Sequence, residues 1–347
     1  MITELMLVEY LWSEQNIQSM LLDLLFEKKI RPKGFRKIVI LFICASAGVM
    51  LGFKLKPKQQ PKFSNSVYAA MPEATYGKLN LLTYNIAGLP ELISSAVTER
   101  SSSITSIGNR INAFDIVNVQ EDFNYNKFLY SENKHSYRTA NMGGVPFGDG
   151  LSTLSKYPIV EFERISWTDC NGADCLTPKG FSYARIQLAK AVFIDVYNVH
   201  ATAQDDQNAT IARQKNINQL KAYIKKYSAG RPLLIMGDFN AHYAYELDNI
   251  GSFQKDLGLV DAWVSLRNKG DIPGHKVNFE AKTALELTED CEGIDKIYYR
   301  NNHLLLFEAK NYQVQKKLFQ NEKGQDLSDH CAVSLQLGWR VVKPSVQ

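Results

Sequence analysis

The stretch LLIMGDFNAH, residues 233–242, ends an apolar, strand-like run at Gly237 and places Asp238 and Asn240 directly after it. Side chains two apart in an extended chain share a side. An acid and an amide therefore face one spot where a buried strand stops. Residues of these types also make ordinary turns, so the pair gains meaning only from its company. LLTYN delivers Asn85, DIVNVQE delivers Glu121, DVYNVH delivers His200, GID delivers Asp295, and LSDH delivers Asp329 and His330. Each lies in or beside the end of an apolar run, where loops on a rigid sheet converge. Carboxylate and amide oxygens suit a hard divalent ion that binds phosphate oxygens, Mg²⁺ first, with Mn²⁺ or Ca²⁺ as alternatives. Two histidines add a general base and a phosphate-directed donor near neutral pH.

The elements that must position these groups are short. Apolar runs at 79–86, 115–120, 150–155, 181–188, 191–200, 231–238, 293–300 and 330–339 read as strands separated by turns. Helical spacing appears at 101–114, with apolar residues at 104, 107 and 111, and at 208–227, with 211, 217, 220 and 224. Strands outnumber helices and no internal repeat is visible. The pattern predicts a layered β core with helices outside, one domain over 77–340.

The 347 residues carry a formal charge of +4, but residues 1–70 hold ten Lys/Arg against five Asp/Glu. The body is thus near neutral and offers no overall polyanion grip. Residues 1–33 form an N-terminal extension, and basic residues then precede the apolar IVILFICASAGVMLGF. Residues 34–53 read as a signal or membrane-anchor segment, and 54–76, with its Pro, Lys and Ser, as a linker. This expects a secreted or membrane-anchored protein with its body outside the cytosol. Four body cysteines, Cys170, Cys175, Cys291 and Cys331, then suggest disulfides. Cys170 and Cys175 bracket the turn-rich NGAD and are expected to bridge. Cys291 and Cys331 are left open, because Cys331 adjoins His330 and its side chain turns to the opposite face.

Taken in order, TYNIAGLP, VQE, GLSTLSKYPI, YNVHA, GDFN, IDKIYYR and LSDH resemble the endonuclease/exonuclease/phosphatase superfamily, which includes deoxyribonucleases, inositol-phosphate phosphatases and sphingomyelinases. The resemblance covers essentially the whole body. It implies an α/β (α+β) four-layer sandwich of two packed mixed β-sheets flanked by helices, and a metal-dependent phosphoric diester hydrolase. Carried over to this chain, it implies that Glu121 binds Mg²⁺, with Asn85 and Asp329 beside it. Asp238 and Asn240 orient water and phosphate. His330 is the general base, held by Asp295, and His200 donates to a phosphate oxygen or the leaving group.

Substrate rests on finer features. KGF at 179–181 and the GGV…LSKYPI stretch are similar to sphingomyelinases and related phospholipases C. The near-neutral body also disfavours many phosphate contacts to DNA. The expectation is a monomeric phospholipid or sphingolipid phosphodiesterase at a membrane, with Trp167 or FGDG (147–150) as lipid-contact candidates. A secreted deoxyribonuclease-like endonuclease acting on nucleic acid is the runner-up, and a non-catalytic binding relative is the third reading.

Overall fold

The computed structural model describes residues 62–64, 70–141, 148–277 and 279–342. The readings made for residues 1–53, most of the linker, and the GGV stretch lie outside these. The strands are β1 (Lys62–Ser64), β2 (Tyr76–Asn85), β3 (Ile116–Gln120), β4 (Tyr137–Arg138), β5 (Ser152–Ser155), β6 (Ile159–Ser166) and β7 (Gly180–Ala189). They continue with β8 (Val192–His200), β9 (Leu233–Asp238), β10 (Val260–Asp261), β11 (Asp295–Arg300), β12 (Leu305–Val314) and β13 (Val333–Val341). A seven-stranded sheet runs β1-β6-β7-β8-β9-β11-β10, and a six-stranded sheet runs β12-β13-β2-β3-β5-β4. Both are mixed: β2 pairs with β3, and β8 with β9, in parallel, while their other neighbours are antiparallel.

Alternation decides which side chains enter the sandwich. In β2, Leu79 and Leu81 join the core between the sheets, while Leu82 and Tyr84 pack outward with Ile104, Ile107 and Ile111. Those isoleucines belong to α1 (Arg100–Arg110) and the 3-10 turn after it, so the helix ends earlier than the periodicity predicts. On the other outer face, α3 (Gln207–Tyr227) lays Ile217, Leu220 and Ile224 against the seven-stranded sheet. Asp206 caps α3 by accepting from the Asn208 and Ala209 amides. With α2 (Asn126–Ser131), α4 (Ile250–Leu257) and α5 (Ala262–Leu266), the result is the expected four-layer sandwich. Among the described residues no helix is long and apolar enough to cross a membrane.

Two findings go beyond the sequence reading. β12, absent from the expected strands, is an edge strand that pairs with β13 alone and turns Glu308 and Lys310 outward. The site itself rests on buried amides between the sheets. Asn118 Nδ2 on β3 donates to the carbonyls of Tyr197 (2.9 Å) and Met236 (3.1 Å) in the opposite sheet, and Thr153 Oγ1 donates to Asn118 Oδ1 (2.9 Å). Gln120 Nε2 reaches Asn198 Oδ1 at 2.7 Å, and Asn198 Nδ2 returns to the carbonyls of Val119 (3.0 Å) and Ser152 (3.1 Å). Buried polar groups that are fully paired specify one arrangement. These bolts set the register of one sheet on the other, directly beneath the strand ends.

Candidate active site

Three neighbouring strands of the seven-stranded sheet end together. His200 on β8 is in register with Asp238 on β9, and Asp238 with Asp295 on β11. From the six-stranded sheet, Asn85 closes β2 in register with Gln120, and Glu121 follows β3 by one residue. Glu121 has a positive φ of 60°. Two glycines make room for that turn: a Cβ on Gly88 would lie 2.1 Å from the Glu121 carbonyl, and one on Gly150 would strike the Phe123 ring and the Glu121 Cα.

The six side chains form one network. Asn85 Nδ2 donates to both Glu121 Oε1 and Asp238 Oδ2, each at 3.1 Å. His200 Nε2 lies 3.8 Å from that same Glu121 oxygen and 3.6 Å from that same Asp238 oxygen. His330 Nδ1 donates to Asp295 Oδ2 at 2.9 Å, leaving its Nε2 3.9 Å from Asp238 Oδ2. Asn240, also at positive φ, gives its backbone N–H to Asp238 Oδ1 at 2.9 Å and its side-chain amide to the Ala201 carbonyl. Asp329 is half-buried beside Ser328, whose hydroxyl is hydrogen-bonded to the Asn85 carbonyl at 2.7 Å. No direct hydrogen bond joins Asp329 to Glu121 or Asn85 among the described residues.

The acids of this site are only partly compensated. Burial, then the Asp295 charge, pushes the Asp238 carboxyl up to about 7, against the lowering pull of His330 and Lys179. Burial also raises Glu121, which Lys179 partly offsets. Burial, with Lys179 and His330, holds His200 well below its usual range and therefore neutral. For His330, burial pulls down, but the Asp295 charge and hydrogen bond, then Asp238 and Asp329, raise it to about 10. Asp295 Oδ1 and His200 Nδ1 are buried without hydrogen-bond partners in the described structure.

This donor set fits a hard divalent cation. Acidic oxygens of Glu121 and Asp238 converge on one amide N–H donor, and Lys179 and His330 are the positive groups acting on both. A second grouping, Asp238, Asp295 and His330, also holds donor atoms within 4.8 Å of one another. There the His330–Asp295 hydrogen bond at 2.9 Å already engages two of the three members.

Sequence reasoning missed several supporting residues. Lys179, just before β7, is buried, pairs with Asp174 at 2.8 Å, and acts on Glu121, Asp238 and His200. Its place at a strand start is the same signal that revealed the other residues. Asp174 sits inside the Cys170–Cys175 disulfide loop and accepts the Ala203 N–H at 2.7 Å, three residues after His200. Cys291 and Cys331 are free thiols. Trp167 is a correction: it is buried against Phe181, and its indole N–H donates to the His200 carbonyl at 2.7 Å. It braces the site from the core and offers no surface to lipid. The described part of FGDG is also buried, with Asp149 paired to Arg164 at 2.6 Å.

A family model described as the Endonuclease/Exonuclease/phosphatase family matches residues 82–330. A protein called sphingomyelinase from Mycobacterium tuberculosis (strain ATCC 25618 / H37Rv) is 37% identical over 261 residues, which is 73% of this chain and 51% of that protein. The chain thus spans about half the length of the curated relatives it matches. Among solved structures, a beta toxin from Staphylococcus aureus with bound magnesium ions superposes with a TM-score of 0.55 at 17% identity, covering 75% of this chain and 99% of that one. Sphingomyelinase C from Streptomyces griseocarneus gives 0.54 at 19% identity, with 75% and 99% coverage. At such identities the likeness shows the fold.

Proposed function

This chain belongs to the endonuclease/exonuclease/phosphatase family, and from that premise we propose that it is a divalent-cation-dependent phosphodiesterase that hydrolyses a phospholipid head group, as a sphingomyelinase does. The observation that carries the chemistry is the convergence of Asn85, Glu121, His200, Asp238, Asp295 and His330 from both sheets on one spot. The lipid substrate is supported by 37% identity to proteins called sphingomyelinase and by the near-neutral body.

Glu121 would hold Mg²⁺, with Asn85 and Asp329 beside it. When bound, the cation supplies positive charge to a non-bridging phosphate oxygen and to the crowded carboxylates. Asp238, braced by the Asn240 amide, positions a water for attack on phosphorus. The acids around His330 hold its ring protonated in the cation-free chain. With their charge offset by Mg²⁺ and the ring neutral, Nε2, on the side away from Asp295, would take the water proton, and Asp295 would hold the tautomer this requires. His200 is neutral and its Nε2 faces two carboxylates, so that nitrogen carries the hydrogen and donates to a phosphate oxygen or to the lipid oxygen that leaves. The P–O bond to the lipid breaks as the bond to water forms. Lys179 adds a fixed positive charge for the same anionic centre. The Cys170–Cys175 bridge and the 34–53 reading support placement outside the cytosol.

The test offers the full chain, with Mg²⁺, sphingomyelin and phosphatidylcholine vesicles and plasmid DNA. Release of a soluble phosphorylated head group is expected. Plasmid nicking without vesicle turnover would replace this reading with a nuclease, and inactivity on every substrate would favour the binding relative.

A further inference from the structure

The two ends of the sandwich differ in what they expose. Among the described residues, six large apolar side chains are more than half exposed, and five of them, Leu92, Ile93, Val97, Leu176 and Val277, sit on loops at the end that carries the site. Leu92 is 96% exposed, Val277 91% and Val97 77%. The loops are the one leaving β2 after Asn85, the disulfide loop entering β7 before Lys179, and the one entering β11 before Asp295. Scattered single apolar residues are ordinary on a surface, but a concentration around one site is informative.

The first loop presents its apolar tip from firm roots. Arg100 is fully buried and donates to the carbonyls of Ile86 (2.7 Å), Ala87 (3.1 Å) and Leu327 (2.9 Å), stapling both ends of residues 87–99 to the chain beside Asn85 and Asp329. Ser94 Oγ also donates to the Ala87 carbonyl at 3.2 Å, and the Ile93 and Ser94 amides close a turn on Pro90. The fold thus holds Leu92 and Ile93 in water while their neighbours are tied down. Exposed Lys276, next to Val277, has the long stem and charged head suited to a head-group layer.

We propose that this ring, led by Leu92, Ile93 and Val97, is the surface that enters the outer layer of a phospholipid bilayer and sets the site over its substrate. The inference rests on the lipid reading above and commits to a bilayer as the occupant, because the apolar tips frame the same end at which that substrate must arrive. Apolar side chains seated in lipid hold by burial and are not screened by salt.

The experiment uses the full chain carrying Leu92→Trp, in EDTA so that nothing is hydrolysed, with phosphatidylcholine–sphingomyelin vesicles that are plain or brominated in the acyl chains. The fluorescence that the substitution adds is expected to be quenched by the brominated vesicles at low and high salt alike. In parallel, Leu92→Glu combined with Ile93→Glu is expected to lower vesicle hydrolysis with Mg²⁺ by roughly tenfold or more, while hydrolysis of a soluble aryl phosphodiester stays unchanged. Absence of quenching, quenching that disappears with salt, or an equal loss on the soluble substrate would each overturn the docking surface. Quenching without phospholipid turnover would leave the docking surface standing and defeat the substrate reading, so the two fail separately.

Discussion

Strand β8 carries a buried ionisable group toward each end, and the two live differently. Asp195 accepts from Ser228 Oγ (2.7 Å) and Tyr183 OH (3.2 Å), with Arg231 at 3.5 Å and Arg185 at 3.7 Å. At the other end, His200 is in register with Asp238, whose neighbour is a second acid, Asp295. Burial raises both the Asp195 and Asp238 carboxyls, so burial alone does not distinguish them. The difference lies in company. Hydroxyls and guanidinium groups oppose the burial penalty at Asp195, whereas at Asp238 the neighbouring Asp295 charge adds to it, against the lowering pull of His330 and Lys179. A cluster whose acids crowd one another is where a bound cation gains most.

The largest expected effect is at the crowded end. EDTA should abolish hydrolysis and Mg²⁺ should restore it, and Glu121→Gln should require far more Mg²⁺; activity that survives chelation would refute this. His330→Ala should lower kcat by at least ~10²-fold, with Asp295→Asn acting in the same direction. Rates from folded protein with intact circular dichroism decide this.

A sharper contrast comes from exchanging stability for activity between the two ends. Asp238→Asn should abolish turnover yet raise the denaturation midpoint of the cation-free chain at about pH 8, because it removes a buried charge that burial and Asp295 disfavour. Asp195→Ala should do the reverse. It removes the acceptor of the Ser228 hydroxyl and the acid beside Arg231 and Arg185, so stability should fall by about 1–3 kcal/mol with kcat unchanged. If Asp238→Asn destabilises as Asp195→Ala does, the two ends are alike and the comparison fails.

Acidity offers a finer test. The Asp238 carboxyl, held up to about 7, keeps a proton when folded that an unfolded carboxyl near pKa 4 releases. Stability of the cation-free chain should therefore fall as pH rises from about 4 to about 7. The stabilising contribution of His330, raised to about 10, is complete below about pH 6.5 and is lost as pH climbs toward 10. Mg²⁺ should consequently raise Tm more at about pH 8 than at about pH 5, and Asp238→Asn should flatten the lower part of the profile. The smallest effect is expected from reducing Cys170–Cys175. Its short loop predicts a loss of about 2 kcal/mol, read from the denaturation midpoint with and without reductant.

Much of this was legible in one dimension. Alternation and apolar runs place Asn85, Glu121, His200 and Asp238 at strand ends, because those rules are local to a few residues. The ordered motifs raised the same residues together and named the family. Local rules do not reach across the chain, however. Asn85 meets Asp238 153 residues away because of strand order and the stacking of one sheet on the other. That stacking is held by Asn118, Gln120 and Asn198, which in the sequence look like ordinary strand amides. Trp167 read as a surface aromatic because a lone indole carries no signal of the carbonyl it will meet; packing turned it inward onto His200. Nothing in the sequence singles out Leu92 and Ile93. Only the folded chain, with Arg100 tying down the loop beneath them, left them in water. Residue types and periodicity thus determined the chemistry available. Long-range pairing decided which charges face one another and which apolar groups stay unburied, because both depend on contacts between segments far apart in the chain.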